Sequence, residues 1–423
     1  MLKLTHVCLI ASMLVAACSF AQPLTRDGVW TPLPSLPIDI SNNAVTSVNN
    51  GDGTWSLYSF MGIRSPGNGV DSTVESFRLD WSETTGAIGG WQPIADAPRR
   101  NNRAKVAASA VTVAGEVYLI GGYTTGRREF TEKRLFRYEP DTNTYAELAP
   151  VPTEVDDTVP AVFRDRYIYL MSGWHGPIND NTTAVQVYDT QTDEWSACTP
   201  IPGPFDGLFG HVGGIVEDGT VATLLYADGT VSNGGFLPSS RVFAGRVTDA
   251  DLTGIVWTEI EPHPGPNTYR AAGALGETPG GWIMAVGGTD NPYNLSGVGY
   301  NGVPSEPIAG GFAYHAATGR WRELAFEGKP ATMDHRNLAQ LGSGWALVGG
   351  MTAPRTMTNQ AWLLTLDPCV ADFNGDGEID ADDQALFAGL FLSNNPAADQ
   401  NGDGRVTPAD YNAWVYRAVR GCL

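Results

Sequence analysis

Positive charge, cysteine and long apolar runs are all scarce in this chain. Only 17% of the 423 residues are charged, and 26 Lys and Arg stand against 46 Asp and Glu, a formal net charge of −20. So acidic a chain does not gather nucleic acid or an anionic membrane by general attraction. No nucleic-acid partner is therefore expected, and the acids point to bound cations or to solubility. The apolar run Val7–Ala17 falls short of the ~20 residues that a membrane-spanning helix needs. No transmembrane segment is expected in the mature chain. Of five cysteines, Cys8 and Cys18 lie in the first 21 residues, leaving Cys198, Cys369 and Cys422. An odd number permits at most one bridge within the chain. Cys198 reads as a small buried hydrophobe. The histidines after residue 21 (His175, His211, His263, His315 and His335) show no ligand spacing, which argues against a transition-metal centre.

The N-terminus has the layout of a secretory signal over residues 1–21: Lys3, then the apolar run, then Ser19-Phe20-Ala21 as a cleavage site. A secreted, periplasmic or cell-surface location is expected. Val15-Ala16-Ala17-Cys18 resembles the lipobox of bacterial lipoproteins, so a lipid anchor at Cys18 is the alternative.

Glycine and proline are plentiful, at 50 and 28 residues. Glu116–Gly122 is a short apolar strand that stops at two glycines. The same shape returns five times: Trp55–Gly62, Arg166–Gly173, Val221–Tyr226, Gly281–Gly288 and Gly344–Gly350. Runs of this length, rich in β-branched and aromatic residues, read as buried strands, and regular recurrence means a repeat architecture. A second strand follows each, at 74–80, 134–140, 185–190, 241–247, 311–318 and 361–367. An aromatic then opens a third: Trp91, Tyr145, Trp195, Trp257 and Trp321, spaced by 54, 50, 62 and 64 residues. Tyr138-Glu139-Pro140-Asp141-Thr142-Asn143 and the run Tyr188–Trp195 carry this pattern best. With the paired glycines they resemble the kelch repeat, over residues 27–367. The resemblance implies an all-β, six-bladed kelch propeller spanning residues 22–367, with four-stranded blades round a central channel. Trp30-Thr31-Pro32-Leu33-Pro34 matches an outer strand with nothing before it, and the sixth unit lacks one. The propeller is expected to be closed by the N-terminal strand, which leaves no unpaired radial edge.

Residues 368–423 have a different composition. Two loops, 372–383 and 399–410, place side-chain oxygens at positions 1, 3 and 5, glycine at 6 and a carbonyl at 7, in the manner of an EF-hand. The expected metal ligands are Asp372, Asn374, Asp376, Glu378 and Asp383 in the first loop. In the second they are Asp399, Asn401, Asp403, Arg405 (by its carbonyl) and Asp410. Position 12 is Asp where the usual hand has Glu. From Cys369 onward nine acids and three arginines give a net −6, which two Ca²⁺ partly offset. Each loop leads into one apolar helical stripe: Leu386, Phe387, Leu390, Phe391, and then Tyr411, Trp414, Val415, Ala418. The pair resembles a dockerin of the Gly-Cys-terminated variety. That resemblance implies a small α-helical module holding two Ca²⁺, a Cys369–Cys422 disulfide tying its ends, and a cohesin-like protein or cell-surface scaffold as partner. Ala381-Asp382 and Pro408-Ala409 replace the Ser-Thr pair of many cellulosomal dockerins.

Propeller function is expected at one mouth of the channel. Aligned on Pro37, Pro98, Pro152, Pro204, Pro264 and Pro330, the residues entering the innermost strands are Asn43, Arg103, Thr158, Gly210, Arg270 and Arg336, beside Asn42, Asn102, Asp157, His211, Tyr269 and His335. Three arginines at one repeat position suit an anionic ligand. The competing reading pairs each arginine with an acid of the next blade. The expected ligand-binding set is Arg103, Arg270, Arg336, His211 and Asn43, for a carbohydrate or protein ligand. Aromatic loops at Trp174, Tyr293 and Tyr300 support it. The chain is also similar to the sialic-acid mutarotase/epimerase group in signal, blade number and arginine-bearing loops. That similarity implies an acidic sugar as substrate and an acid or base among Glu154, Asp157, His211, Asp334 and His335.

Overall fold

The computed structural model describes residues 27–64, 71–126, 129–203, 207–274, 281–366, 371, 373 and 379–420. The signal reading, Cys18, Cys369, Cys422, Asp372, Asn374, Asp376 and Glu378 lie outside the described residues. The chain divides into two compact units, Gly28–Leu366 and a C-terminal unit from Asp367.

In the large unit, Ala44–Asn49, Thr54–Arg64, Asp71–Ser82 and Gly86–Ile94 form one antiparallel sheet in sequence order. The next sheet holds Lys105–Val113, Glu116–Thr124, Leu135–Glu139 and Thr144–Leu148. The third holds Val159–Phe163, Tyr167–His175, Asp180–Asp189 and Glu194–Ala197, and the fourth Val212–Asp218, Val221–Ala227, Val242–Thr248 and Asp251–Ile260. A longer sheet contains Ala272–Ala274, Trp282–Val286, Gly311–His315 and Arg320–Leu324. A short parallel bridge, Gly273 to Asn337 and Ala274 to Leu338, joins them to Asn337–Leu341, Gly344–Val348 and Ala361–Leu366. The strand Gly28–Leu33 pairs antiparallel with Ala361–Leu366 over its whole length, from Gly28 opposite Leu366 to Leu33 opposite Ala361. The first strand of the unit thus lies on the last.

The core lies between successive sheets. Phe163, Tyr169 and Val185 of the third sheet pack with Leu224, Tyr226 and Phe243 of the fourth. The repeat aromatics fasten each sheet to the one before it. Trp91 Nε1 donates to the Pro34 carbonyl (2.7 Å), Trp195 Nε1 to Ala149 (3.0 Å), Trp257 Nε1 to Thr199 (3.0 Å), Trp321 Nε1 to Glu261 (2.7 Å) and Tyr145 Oη to Ala95 (2.9 Å). Burial of the ring and satisfaction of its polar atom are achieved together, which suits tryptophan and tyrosine. The paired glycines meet the next sheet. Gly121 has φ of +67°, and a Cβ there would lie 2.4 Å from the Val155 carbonyl oxygen; Gly287 stands against Thr332 in the same way. Both the left-handed backbone and the close approach require glycine.

In the C-terminal unit, helix α1 (Ala381–Leu392) and helix α2 (Pro408–Arg420) pack through Phe387 and Trp414, whose rings stack at 5.0 Å. Of the two expected stripes, Phe387 and Trp414 are buried, whereas Leu386 and Tyr411 are exposed. Asp380 caps α1 with a reciprocal contact to Asp383. Buried Asp383 accepts the backbone N–H groups of Phe373 (2.6 Å) and Asp380 (3.0 Å). Asp410 takes the matching pair, Gln400 (2.9 Å) and Thr407 (2.7 Å). The aspartates at position 12 therefore organise their own loops.

Candidate ligand-binding site

At the entry end of the inner strands, left-handed residues link hydrogen bond to hydrogen bond around the centre. Asn42, Ala107, Asp157, Gly210, Arg270 and Asp334 all have φ between +51° and +69°. The Asn42 N–H donates to the Asp334 carbonyl (2.8 Å), Asp157 to Ala107 (3.2 Å), Gly210 to Asp157 (3.1 Å), Arg270 to Gly210 (2.8 Å) and His335 to Arg270 (3.1 Å). The Asn42 side chain closes the circle by accepting the Ala107 N–H (2.6 Å). Each link satisfies a backbone group that burial would otherwise leave unpaired.

This ring corrects the alignment on prolines. Its members are Asn42 rather than Asn43, Ala107 rather than Arg103, Asp157 rather than Thr158, and Asp334 rather than Arg336. Only Gly210 and Arg270 stand where that alignment put them. The distance from proline to ring varies, most of all where Arg100 and Arg103 pair with each other through their backbones before the strand begins. The arginines consequently do not share one repeat position. Arg103 is exposed. Asn43 is buried and donates to Ser59 Oγ (2.8 Å). His211 is buried against Tyr226, and burial pushes its imidazole down to about 3.

Arg270 and Arg336 do come together, on Asp157. Arg270 Nε and Nη2 clasp both Asp157 oxygens (3.2 and 3.0 Å), while Nη1 reaches Asp334 (3.1 Å) and the Asn294 carbonyl (2.6 Å). Arg336 pairs with Asp157 and donates from Nε to Asn42 Oδ1 (3.1 Å). Asp334 also accepts from Ser41 Oγ (2.7 Å) and Asn42 Nδ2 (2.9 Å). Two carboxylates and two guanidiniums balance inside this buried network. Burial alone would raise the Asp157 carboxyl, but the charges of Arg270 and Arg336 overcome it and hold it below the usual range. Carboxylates of other segments thus already engage both buried arginines.

A pocket of about 190 Å³ opens over Asp157 and Arg270. Tyr123, Trp174, Phe209, Phe236 and Tyr300 supply aromatic surface, with the Phe236 and Tyr300 rings stacked at 4.1 Å. Asp156, Glu129, Thr131, Asn179 and Asn294 supply polar atoms. Asp156 is buried and accepts one hydrogen bond from Thr131 Oγ1 (2.9 Å). Burial, and then the neighbouring charge of Asp157, push its carboxyl well above the ordinary range. Glu129 lies at the rim, where partial burial raises its carboxyl and Asn294 Nδ2 approaches it (3.4 Å). Of the residues expected from sequence to bind ligand, Arg270 alone lines this pocket.

Tyr300 was legible as an aromatic loop residue; Trp174 was expected in a loop too, but it lies near the end of the strand Tyr167–His175. Asp156, Glu129 and Phe236 were not legible. One signal was in the spacings: the repeats of 62 and 64 residues contain the long connections that carry Phe236, and Asn294 with Tyr300.

No protein-family model matches the chain. It is similar to Kelch-like protein 35 of Mus musculus, 28% identical over 173 residues (41% of this chain, 26% of that protein). It is similar also to Kelch-like protein 26 of Danio rerio, 27% identical over 108 residues (25% of this chain, 18% of that protein). Kelch-like protein terF of Aspergillus terreus is 23% identical over 257 residues, which is 59% of this chain and 50% of that protein. The chain thus spans between about a fifth and a half of the length of these curated relatives. Among solved structures, that of YjhT overlays with a TM-score of 0.59 at 16% identity, covering 79% of this chain and 99% of the other, and so speaks to the fold alone.

Proposed function

The chain carries a kelch β-propeller, and we propose that it is a secreted, six-bladed binding protein that takes a carbohydrate in the pocket over Asp157 and Arg270. The observation that carries this reading is the lining itself. Trp174, Phe236 and Tyr300 offer apolar faces beside Asp156, Glu129, Asn179 and Asn294, which suit a ring with C–H faces and hydroxyl donors. The pocket's volume suits one small ring rather than a long chain.

The test is saturation-transfer NMR on the full chain with glucose, N-acetylglucosamine and glucosamine. Transfer to at least one sugar is expected, weakened tenfold or more by Trp174→Ala with the melting temperature little changed. Absence of transfer to all three overturns the carbohydrate reading.

A sugar mutarotase is the second reading, favoured by the neighbouring carboxyls Asp156 and Asp157, whose proton affinities are pushed apart. Asp156 would give a proton to the ring oxygen as its bond to the anomeric carbon breaks, the anomeric hydroxyl would lose its proton to water to leave the open-chain aldehyde, and closure on the other face would reverse both transfers, with ionised Asp157 steadying the charge that develops. The lining disfavours an acidic, sialic-acid-like substrate, since among the described residues it sets three carboxyls against Arg270. Faster exchange between anomers, lost in Asp156→Asn, would establish the enzyme.

We propose further that residues 368–423 are a dockerin-type module holding two Ca²⁺ and attaching the propeller to a cohesin-like protein or surface scaffold. Asp399, Asn401 and Asp403 are hard oxygen donors on one exposed loop, turned by Gly402 and Gly404 at φ of +72° and +81°. Asp399 organises that loop by accepting the Gly402 (2.8 Å) and Gly404 (2.7 Å) N–H groups. These donors fit Ca²⁺ in chemistry, although among the described residues no ready-made cluster of three acids or histidines is formed. Chelation of Ca²⁺ in the full chain should open 379–420 to proteolysis and leave 28–366 intact. Equal resistance with and without chelator would count against the calcium reading.

A further inference from the structure

The charges at the pocket do not balance as those beneath it do. Under the floor, Asp157 and Asp334 are matched by Arg270 and Arg336. Asp156 and Glu129 remain, and among the described residues no Lys, Arg or His ion-pairs with either of them. Asp156 is 2% exposed, and among the described residues the side-chain hydrogen bond to its carboxyl is that from Thr131 Oγ1 to Oδ2. Five aromatic rings stand round the same space. A buried carboxyl in a pocket lined by aromatic rings favours a cation, which gains both from the carboxyl and from the ring quadrupoles.

We infer that the ligand of this pocket carries a protonated amine, seated between Asp156 and Glu129 beneath Trp174, Phe236 and Tyr300. On the carbohydrate reading, on which this inference rests, the ligand class is an amino sugar with a free amine. An ammonium donates hydrogen bonds to Asp156 and to Glu129. An N-acetyl group has one N–H and no charge, and a uronic acid adds a fourth carboxyl to the lining.

The free protein sustains the arrangement at a cost. The Asp156 carboxyl is raised on folding, so its contribution to stability is complete below the ordinary carboxylate range and is lost as pH rises through the folded value. Replacing it with the isosteric amide removes that penalty at neutral pH. Asp156→Asn should therefore melt at or above the wild-type temperature while binding amines poorly. That pairing separates a ligand-seating residue from one the fold needs.

The experiment is titration calorimetry at pH 7 on the full chain with glucosamine, N-acetylglucosamine, glucose, glucuronate and the non-sugar amine ethanolamine. Glucosamine is expected to bind at least tenfold more tightly than N-acetylglucosamine or glucose, and glucuronate not at all. Asp156→Asn should reduce the preference to threefold or less, and Glu129→Gln, at the exposed rim, should weaken it part of the way. Equal binding of glucose and glucosamine, or a preference for glucuronate, overturns the inference and leaves the carbohydrate reading standing. Binding of ethanolamine without any sugar overturns the carbohydrate reading and keeps the amine. No binding by any of the five overturns both.

Discussion

Arg270→Ala should destabilise the propeller rather than merely empty its pocket. The guanidinium is buried, spans Asp157 and Asp334, and lies over the rings of Tyr269 (4.9 Å) and Tyr293 (5.3 Å). Alanine leaves Asp334 buried with neutral donors alone and Asp157 with Arg336. Breaking a buried pair from one side costs about 3–5 kcal/mol, which for a unit of this size is about 4–7 °C in melting temperature. Combining Arg270→Ala with Asp334→Asn should recover part of the loss, because the stranded charge is then gone. Acid should reveal the same network. The Asp157 carboxyl is depressed on folding, so its contribution is present above the unfolded carboxylate value of ~3.9 and is lost as pH falls through the lower folded one. Thermal unfolding followed by circular dichroism between pH 2 and 7 measures both effects. A single variant that melts within a degree or two of wild type would show that the ring does not depend on this charge.

That network also explains why the site was harder to read than the fold. The strands were legible because the demands on them are local: an apolar run, a glycine where another backbone comes close, and an aromatic with a polar atom to satisfy. Trp91, Trp195, Trp257 and Trp321 each meet that last demand with a carbonyl one or two residues beyond the strand that ends before the connection, at Pro34, Ala149, Thr199 and Glu261. The partners of Arg270 lie 113 and 64 residues away, and nothing local announces them. Counting from prolines assumed connections of equal length, and the turn at Arg100–Arg103 breaks that assumption. The repeat strands supply Tyr123 and Trp174, but much of the pocket comes from connections: Glu129 and Thr131 from one, Phe236 from another, Asn294 and Tyr300 from a third. Sequence placed three arginines at a mouth and inferred an anion. The structure sets Arg270 and Arg336 against aspartates, leaves Arg103 exposed outside the pocket lining, and turns two other carboxyls toward the pocket.

Removal of Gly28–Leu33 is expected to have the largest effect on stability. This strand covers the edge of Ala361–Leu366, with every residue from 28 to 33 in register. Trp30 is buried and meets Phe326 edge to face at 5.9 Å, while Lys329 Nζ lies 5.4 Å from the Trp30 ring centroid. Gly28 runs so close to its neighbour that a Cβ would stand 2.6 Å from the Thr365 oxygen. Truncation of a buried tryptophan alone costs about 3–5 kcal/mol. Deletion adds the lost strand hydrogen bonds and leaves an open edge able to pair with another chain. Trp30→Ala should thus lower the melting temperature by about 4–7 °C. The deletion should lower it further and produce concentration-dependent association on size-exclusion chromatography. The strand also joins the two ends of the large unit, so its loss should broaden a single cooperative transition as sheets unfold separately from the freed edge. A deleted protein that melts as sharply and as high as the intact one, and stays monomeric, would mean that the inner ring from Asn42 to Asp334 closes the fold without it.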